Sequence, residues 1–159
     1  MAAVVLLASM LLCSACGGGG ASAITIGAVA APGASGTDAF HAPAGAVTRR
    51  VGPGAVRAHL VRVGYRISIA VSPNRASRPN LVAVTVARAG HAVAAARVHA
   101  EAGMLGMAMG VASYDLRGSA AYRVRMPAWL MPGEWGLALT ITPPGRPPIR
   151  VVLDDRMLR

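Results

Sequence analysis

Hydrophobic and polar residues alternate with a period of two along much of the chain after residue 60. The first such segment runs from Val63 to Val71, where Val63, Tyr65, Ile67, Ile69 and Val71 are separated by glycine, arginine, serine and alanine. Because successive side chains of a β-strand point to opposite faces, this pattern predicts a strand with one buried face. Similar segments follow at 81–88, 94–100, 105–116, 121–126, 135–141 and 149–153.

These segments are short and are separated by proline, glycine and asparagine, which favour turns. About seven strands with no long helical segment predict an all-β fold, an immunoglobulin-like antiparallel β-sandwich over residues 59–156. The segment 94–100 is ambiguous, because its alanines would favour a helix equally well.

The N-terminal segment differs from the rest of the chain. The first 37 residues carry no charge, and the apolar run from Met1 ends in small residues before Cys16. This resembles a bacterial lipoprotein signal and predicts a signal peptide over 1–16, a mature chain that starts at a lipidated Cys16, and an extracytoplasmic, membrane-anchored protein of the cell envelope. Cys13 stands where such signals usually carry leucine, and a basic start is missing, so a plain secretory signal or an uncleaved anchor are alternatives.

Residues 17–58 are rich in glycine, alanine and proline and show no sustained period. Such a segment buries too little large apolar surface to offset the entropy of ordering. We therefore predict a tether between the anchor and the sandwich.

Charge adds little to this picture. All sixteen basic residues are arginine, against six acidic residues, and the formal net charge is +10. A basic chain attracts nucleic acid, but the arginines are spread from Arg49 to Arg159 without an aromatic stacking platform. The predicted partners are the membrane, through the lipid anchor, and a protein of the envelope, and not a nucleic acid.

Three methionines stand close together in the stretch Gly-Met-Leu-Gly-Met-Ala-Met-Gly from residue 103 to 110. Thioether sulfur is a soft ligand that favours Cu(I). Met107 and Met109 would point to one face of a strand, Met104 could join them from the preceding loop, and His99 could add an imidazole. The alternative is that these methionines fill gaps in a core of alanine and valine.

Several motifs follow one another in a defined order over about residues 60–155. They are Asn80, Gly90, Ala96, Val98, the run from Met104 to Gly110, Gly118, Tyr122 and the run from Met131 to Trp135. This order resembles the YtkA-like domain, which belongs to the same broad group as FixH-like proteins. The resemblance implies an immunoglobulin-like fold outside the cytoplasm, often attached to a membrane and sometimes found beside copper-handling proteins, without an established activity.

The sequence contains no nucleophile elbow, no H-E-x-x-H motif and no phosphate-binding glycine loop. We therefore predict that the protein is not an enzyme. Two hypotheses about its function follow. One is a domain that binds or delivers copper through the methionine stretch, with Cu(I) as the one cofactor that the stretch would favour. The other is a structural or protein-interaction domain without metal. Tyr122, Trp135 and Met131 are predicted to be structural, with Trp135 as the main core aromatic and Met131 supporting the turn before it.

Overall fold

The computed structural model describes residues 38–128 and 131–159, and within them it contains ten strands and no helix. The predicted leader, Cys16 and residues 17–37 of the predicted tether lie outside the described residues. The strands are β1 (Val47–Val51), β2 (Val56–Arg62), β3 (Tyr65–Ser72), β4 (Asn80–Arg88), β5 (His91–Ala92), β6 (Arg97–Met104), β7 (Ala112–Leu116), β8 (Ala121–Met126), β9 (Gly133–Thr142) and β10 (Ile149–Met157).

The strands form two five-stranded sheets. Sheet A has the order β1-β10-β9-β6-β7, and sheet B has the order β2-β3-β4, with β5 and β8 both pairing with the far edge of β4. All pairs are antiparallel except β1 with β10, which is parallel. The predicted all-β sandwich is confirmed.

Alternation along the strands produces the core between the sheets. In β3 the side chains of Tyr65, Ile67, Ile69 and Val71 are buried, whereas Arg66 is exposed. The inward residues of β4, β9 and β10 follow the same rule and complete one core. Residues 97–100 of the ambiguous segment 94–100 form a strand and not a helix, because they belong to β6, which hydrogen-bonds to β7 on one side and to β9 on the other.

Val63 does not belong to the strand that was predicted to begin with it. It lies in the turn between β2 and β3, is 76% exposed and has a φ of 51°, and it is followed by Gly64 with a φ of 76°. The left-handed backbone of this turn interrupts the strand, so the alternating strand begins at Tyr65.

The sandwich also begins before residue 59. Strand β1 and the first three residues of β2 lie within the segment 17–58 that was predicted to be a tether. β1 gains its hydrogen bonds from β10, and β2 gains them from β3. Because β1 is an exposed edge strand with two arginines, Arg49 and Arg50, its own pattern of residues does not identify it.

The single phenylalanine fixes the segment before β1 to the outer face of sheet A. Phe40 is buried and packs with Ala138 and Val152. Gly103 and Gly136 leave room for its ring, since a Cβ added at Gly136 would overlap the ring and one at Gly103 would lie 2.9 Å from the Phe40 Cβ. The chain therefore enters the sandwich across sheet A. No helix in the described part of the chain is long and apolar enough to cross a membrane.

Candidate functional site

All six methionines of the described residues lie at or beside one end of the sandwich, which we call the methionine pole. At this end β6, β8 and β10 finish and β4 and β9 begin, as the strand registers show. A bridge between Arg75 and Leu158 joins the β3–β4 loop of sheet B to the end of β10 in sheet A. The methionines of this pole are Met104, Met107, Met109, Met126, Met131 and Met157.

These methionines differ sharply in exposure. Met126 and Met157 are buried in the core, at 0% and 1% exposed. Met104 and Met131 are half-buried. Met107 and Met109 are 43% and 49% exposed. Packing therefore explains the positions of Met126 and Met157 but not those of Met107 and Met109, because a large apolar side chain stabilises the fold only through the surface that it removes from water.

Met107 and Met109 do not lie on a strand, contrary to the prediction. β6 ends at Met104 and β7 begins at Ala112, so both belong to the connecting loop 105–111. Gly106 and Gly110 have φ values of 73° and 83°, a left-handed backbone that glycine adopts without strain and that ends the strand. The rule that residues two apart share a face of a strand therefore does not apply to this pair.

The loop is held at its two ends and open in its middle. The Leu105 amide donates to the Glu134 carbonyl at 2.9 Å, and the Gly110 amide donates to the Asp38 carbonyl at 3.1 Å. The second bond joins the methionine loop to the segment that carries Phe40. The two exposed thioethers therefore project from a loop with fixed ends.

Met104 and Met131 take part in packing around Trp135. Met104 pairs with Trp135 across β6 and β9, and its Cε lies against Gly133, where a Cβ would overlap it. The Met131 carbonyl accepts a hydrogen bond from the Trp135 indole nitrogen at 3.1 Å. Met131 thus supports Trp135 through its backbone.

Tyr122, and not Trp135, is the aromatic residue at the centre of the core. Tyr122 is 1% exposed, whereas Trp135 is half-buried at the pole. The Tyr122 hydroxyl donates to the Val93 carbonyl at 2.7 Å and accepts from the Ala96 amide at 2.9 Å. Trp135 lies at the rim of the sandwich because it is only the third residue of β9, which starts at Gly133.

His99 is separated from the methionines, contrary to the prediction that it could join them. It lies on the outer face of sheet A, where its Nδ1 is 2.8 Å from Asp115 Oδ1 and its Nε2 is 4.0 Å from Glu101 Oε1. Met104 is five residues further along β6, which places it about 17 Å away at about 3.3 Å per residue and, because five is odd, on the opposite face. Within 38–128 and 131–159, no group of three His, Cys, Asp or Glu side chains is arranged to hold a metal ion.

A cationic cavity adjoins the methionine pole. It has a volume of about 590 Å³ and is lined by three arginines, two from the β3–β4 loop and one, Arg159, from the distant end of the sequence, which the sequence pattern did not bring together. The Arg75 side chain donates to the carbonyl of Arg159 at 3.2 Å. The cavity is lined by Arg75, Ala76, Ser77, Arg78, Met131, Pro132 and Arg159.

One buried carboxyl group also lies at this pole. Asp155 is 2% exposed, and its Oδ1 accepts a hydrogen bond from Asn74 Nδ2 at 2.9 Å. Burial raises the pKa of Asp155, the hydrogen bond from Asn74 lowers it, and the neighbouring charge of Asp154 raises it again, so that the net shift is upward. Burial also raises the pKa of Tyr114 on β7.

Comparison of the chain with protein-family models, with curated proteins and with solved structures found no match. The methionine pole exposes the thioethers of the loop. The charged residues beside it are the arginines of the cavity and the acidic residues Asp38 and Glu134, whose backbone carbonyls bind the loop.

Proposed function

We propose that the chain is a membrane-anchored module of the bacterial cell envelope that binds Cu(I) through the methionine loop and is not itself an enzyme. The observation that carries the proposal is the exposure of Met107 and Met109 between two left-handed glycines. The same pole buries Met126 and Met157 completely, so the fold has room for methionine in its core and still leaves this pair in solvent.

The donor chemistry of the loop fits a soft monovalent ion. Thioether sulfur is neutral and soft, which suits Cu(I) and not Zn²⁺ or Mg²⁺. Met107 and Met109 supply two such donors from the loop, and Met104 stands where the loop begins. His99 is left out of this ligand set, because it lies on the other face of β6.

The location belongs to the proposal as well. The apolar leader, Cys16 and the glycine-rich segment after it are typical of a lipoprotein, and the order of motifs resembles the YtkA-like domain. Thioethers suit an oxidising compartment, because unlike paired thiols they do not form disulfides.

A second candidate is a protein-interaction module without metal. The observation that favours it is the same exposed pair, since methionine side chains adapt to varied partner surfaces. The loop adjoins β7, which is an edge strand of sheet A and offers free backbone groups to an added strand. The envelope partner would then contact Met107 and Met109 directly.

The copper proposal predicts a specific effect of replacing the exposed pair. Met107→Leu with Met109→Leu should weaken Cu(I) binding by more than about 100-fold. Loss of a residue that only supports a metal ligand already costs roughly 10- to 100-fold, and this variant removes two ligands. The unfolding free energy should change by less than about 0.5 kcal/mol, as is usual for surface positions. Competition titration with a Cu(I) chelator and chemical denaturation measure the two quantities. Affinity of the parent should change little from pH 5 to 7, because a thioether loses no proton on binding.

The buried methionines provide the matched control. Met126→Leu with Met157→Leu makes the same chemical change at 0% and 1% exposed positions. It should cost up to about 1.5 kcal/mol per site while leaving copper affinity unchanged. His99→Ala should also leave it unchanged. If the parent fails to bind Cu(I), or the loop variant binds as tightly as the parent, the copper proposal is wrong and the interaction module is left as the better candidate.

The anchor is tested independently of copper. Cys16→Ser should abolish the uptake of labelled acyl chain and shift the protein from the membrane fraction, whereas Cys13→Ser should not, because only Cys16 follows the small residues that a signal peptidase requires. Metabolic labelling followed by fractionation measures both. Labelling that persists in Cys16→Ser contradicts a lipid anchor at this position.

A further inference from the structure

The acidic residues of the sandwich are confined to one sheet. All six Asp and Glu residues of the chain fall within the described ranges, so their distribution is complete. Five lie on strands of sheet A, and the sixth lies in the segment that packs across sheet A before β1. These residues are Asp38, Glu101, Asp115, Glu134, Asp154 and Asp155.

The outer face of sheet B carries positive charge alone. We call this surface the cationic face and define it by the outward residues of β2, β3, β4 and β8. The register places Arg57, Ala70, Ala83 and Arg123 in one row across the four strands. Arg66 lies at one end of the face, and Arg125 at the other, opposite Leu81. The centre of the face is made of small side chains, so it is flat, and its arginines stand around them.

The outer face of sheet A is electrically balanced by comparison. Its carboxylates are the four residues Glu101, Asp115, Glu134 and Asp154. It carries the same number of arginines, and one of them, Arg50, forms an ion pair with Asp154 at 3.3 Å. The arginines of this face are Arg50, Arg97, Arg150 and Arg156. The two outer faces therefore carry equal numbers of arginines, and their difference in charge comes from the carboxylates of sheet A.

An exposed apolar turn adjoins the cationic face. The β2–β3 hairpin carries Val61 and Val63, which are 74% and 76% exposed. Arg62 lies between them in the sequence, and Arg66 pairs with Val61 across the two strands. Apolar side chains beside arginines are the combination that enters the boundary between lipid headgroups and acyl chains.

We propose that the cationic face docks on an anionic phospholipid surface. The guanidinium groups of Arg57, Arg66, Arg123 and Arg125 contact headgroup phosphates, and the valines of the hairpin enter the interface. A nucleic acid fits less well, because the face presents no Phe, Tyr or Trp ring among the described residues, and bases stack best on these large rings. This contact depends neither on the copper proposal nor on the lipid anchor, and it would orient the sandwich with sheet B towards the membrane.

The test compares two charge-matched variants. One replaces Arg57, Arg66, Arg123 and Arg125 with glutamine, and the other replaces the four arginines of the outer face of sheet A. Both remove four positive charges from a net +10, leaving +6. Each is made in the full chain with Cys16→Ser, so that no acyl chain contributes. Sedimentation with vesicles of phosphatidylcholine alone, and of equal parts phosphatidylcholine and phosphatidylglycerol, separates the electrostatic contact from any effect of the leader.

The cationic-face variant should lose about 100-fold or more in affinity for the anionic vesicles, since each arginine near an anionic surface contributes about 1 kcal/mol. The sheet A variant should lose less than about threefold, because its arginines are already compensated by carboxylates. Binding of the parent should weaken steeply with added salt. Thermal unfolding should show that both variants stay folded, as all eight arginines are exposed.

The hairpin valines provide an independent variant. Val61→Ser with Val63→Ser should lower affinity for the anionic vesicles at least about tenfold, because it removes apolar surface that would enter the interface, while leaving the salt dependence intact. Equal losses in the two arginine variants, or salt-independent binding of the parent, would overturn the proposal. If duplex DNA at the same phosphate concentration displaces the parent from the vesicles, the face is a general polyanion site and the lipid assignment is wrong.

Discussion

Tyr122→Ala is expected to cost about 3–5 kcal/mol of unfolding free energy, the range found for truncating a large buried side chain. Tyr122 is 1% exposed, and its ring fills the space between the two sheets. Its hydroxyl also contacts the Val93 carbonyl and the Ala96 amide, which ties β8 to the chain that leads from β5 into β6. Chemical denaturation followed by tryptophan fluorescence measures the loss.

Two controls separate the ring from its hydroxyl. Tyr122→Phe keeps the ring but leaves the Ala96 amide and the Val93 carbonyl without this partner, which should cost about 1–3 kcal/mol. Tyr114→Phe, on the half-buried Tyr114, should change stability by less than about 0.5 kcal/mol. Trp135→Ala should cost less than Tyr122→Ala, because Trp135 is only half-buried. A Tyr122→Phe protein as stable as the parent would show that the hydroxyl contacts contribute nothing.

The central strands could be predicted from the sequence because one of their faces is buried. In β3, the residues from Tyr65 to Val71 alternate between core and surface without a break. The same rule holds for β4 and for β9, whose inward residues are Leu137, Leu139 and Ile141. A strand that places every second side chain in the core must have an apolar residue at every second position, and this alternation predicts the strand from its own sequence.

The edge of the fold could not be predicted in this way. β1 is half-buried at its ends and carries two exposed arginines, and it is a strand because β10 supplies hydrogen-bond partners. Phe40 is buried because Gly103 and Gly136, about 60 and 100 residues later in the chain, leave a space for its ring. No local pattern near residue 40 contains that information.

The candidate site was predicted only in part. Composition drew attention to Met104, Met107 and Met109, but the left-handed glycines that remove the last two from a strand became visible only in the backbone. The separation of His99 from Met104 was available from the sequence, since two residues five apart on one strand face opposite sides. The cationic face needed the topology, because Arg57 and Arg123 meet in one row only through the pairing of four strands.

The two proposed activities use different parts of the sandwich. The methionine loop follows β6 in sheet A, next to the segment through which the chain enters the fold. The cationic face belongs to sheet B, and the β2–β3 hairpin turns at the end of β3 opposite to the one that reaches the methionine pole. Docking through sheet B would therefore leave the methionine loop accessible to a soluble ion.

Asp155→Asn is expected to stabilise the protein by about 1–3 kcal/mol near pH 7. The Asp155 carboxyl is buried, and Asn74 uses its amide nitrogen to bind both Asp155 and the Gly54 carbonyl, at 2.9 and 2.8 Å. The Asn74 Oδ1 is buried without a hydrogen-bond partner among the described residues. An asparagine at position 155 carries no charge to desolvate, and its N–H group can donate to the Asn74 Oδ1. Giving a partner to an unsatisfied buried acceptor is worth about 1–3 kcal/mol.

The pH dependence gives this prediction a defined sign. Because the pKa of Asp155 is raised in the folded protein, folding favours its protonated form. The contribution of Asp155 to stability is therefore complete below the unfolded pKa of about 3.9, and it is lost as the pH rises through the folded pKa. The advantage of Asp155→Asn should therefore be largest near neutral pH and shrink towards pH 4, as measured by denaturation at several pH values. Asp154→Asn is the control, since Asp154 is partly exposed and its ion pair with Arg50 is on the surface, so it should change stability by less than about 1 kcal/mol. If Asp155→Asn instead destabilises the protein, and more so as the pH rises, then the hydrogen bond from Asn74 outweighs burial and Asp155 is a carboxylate that the fold stabilises.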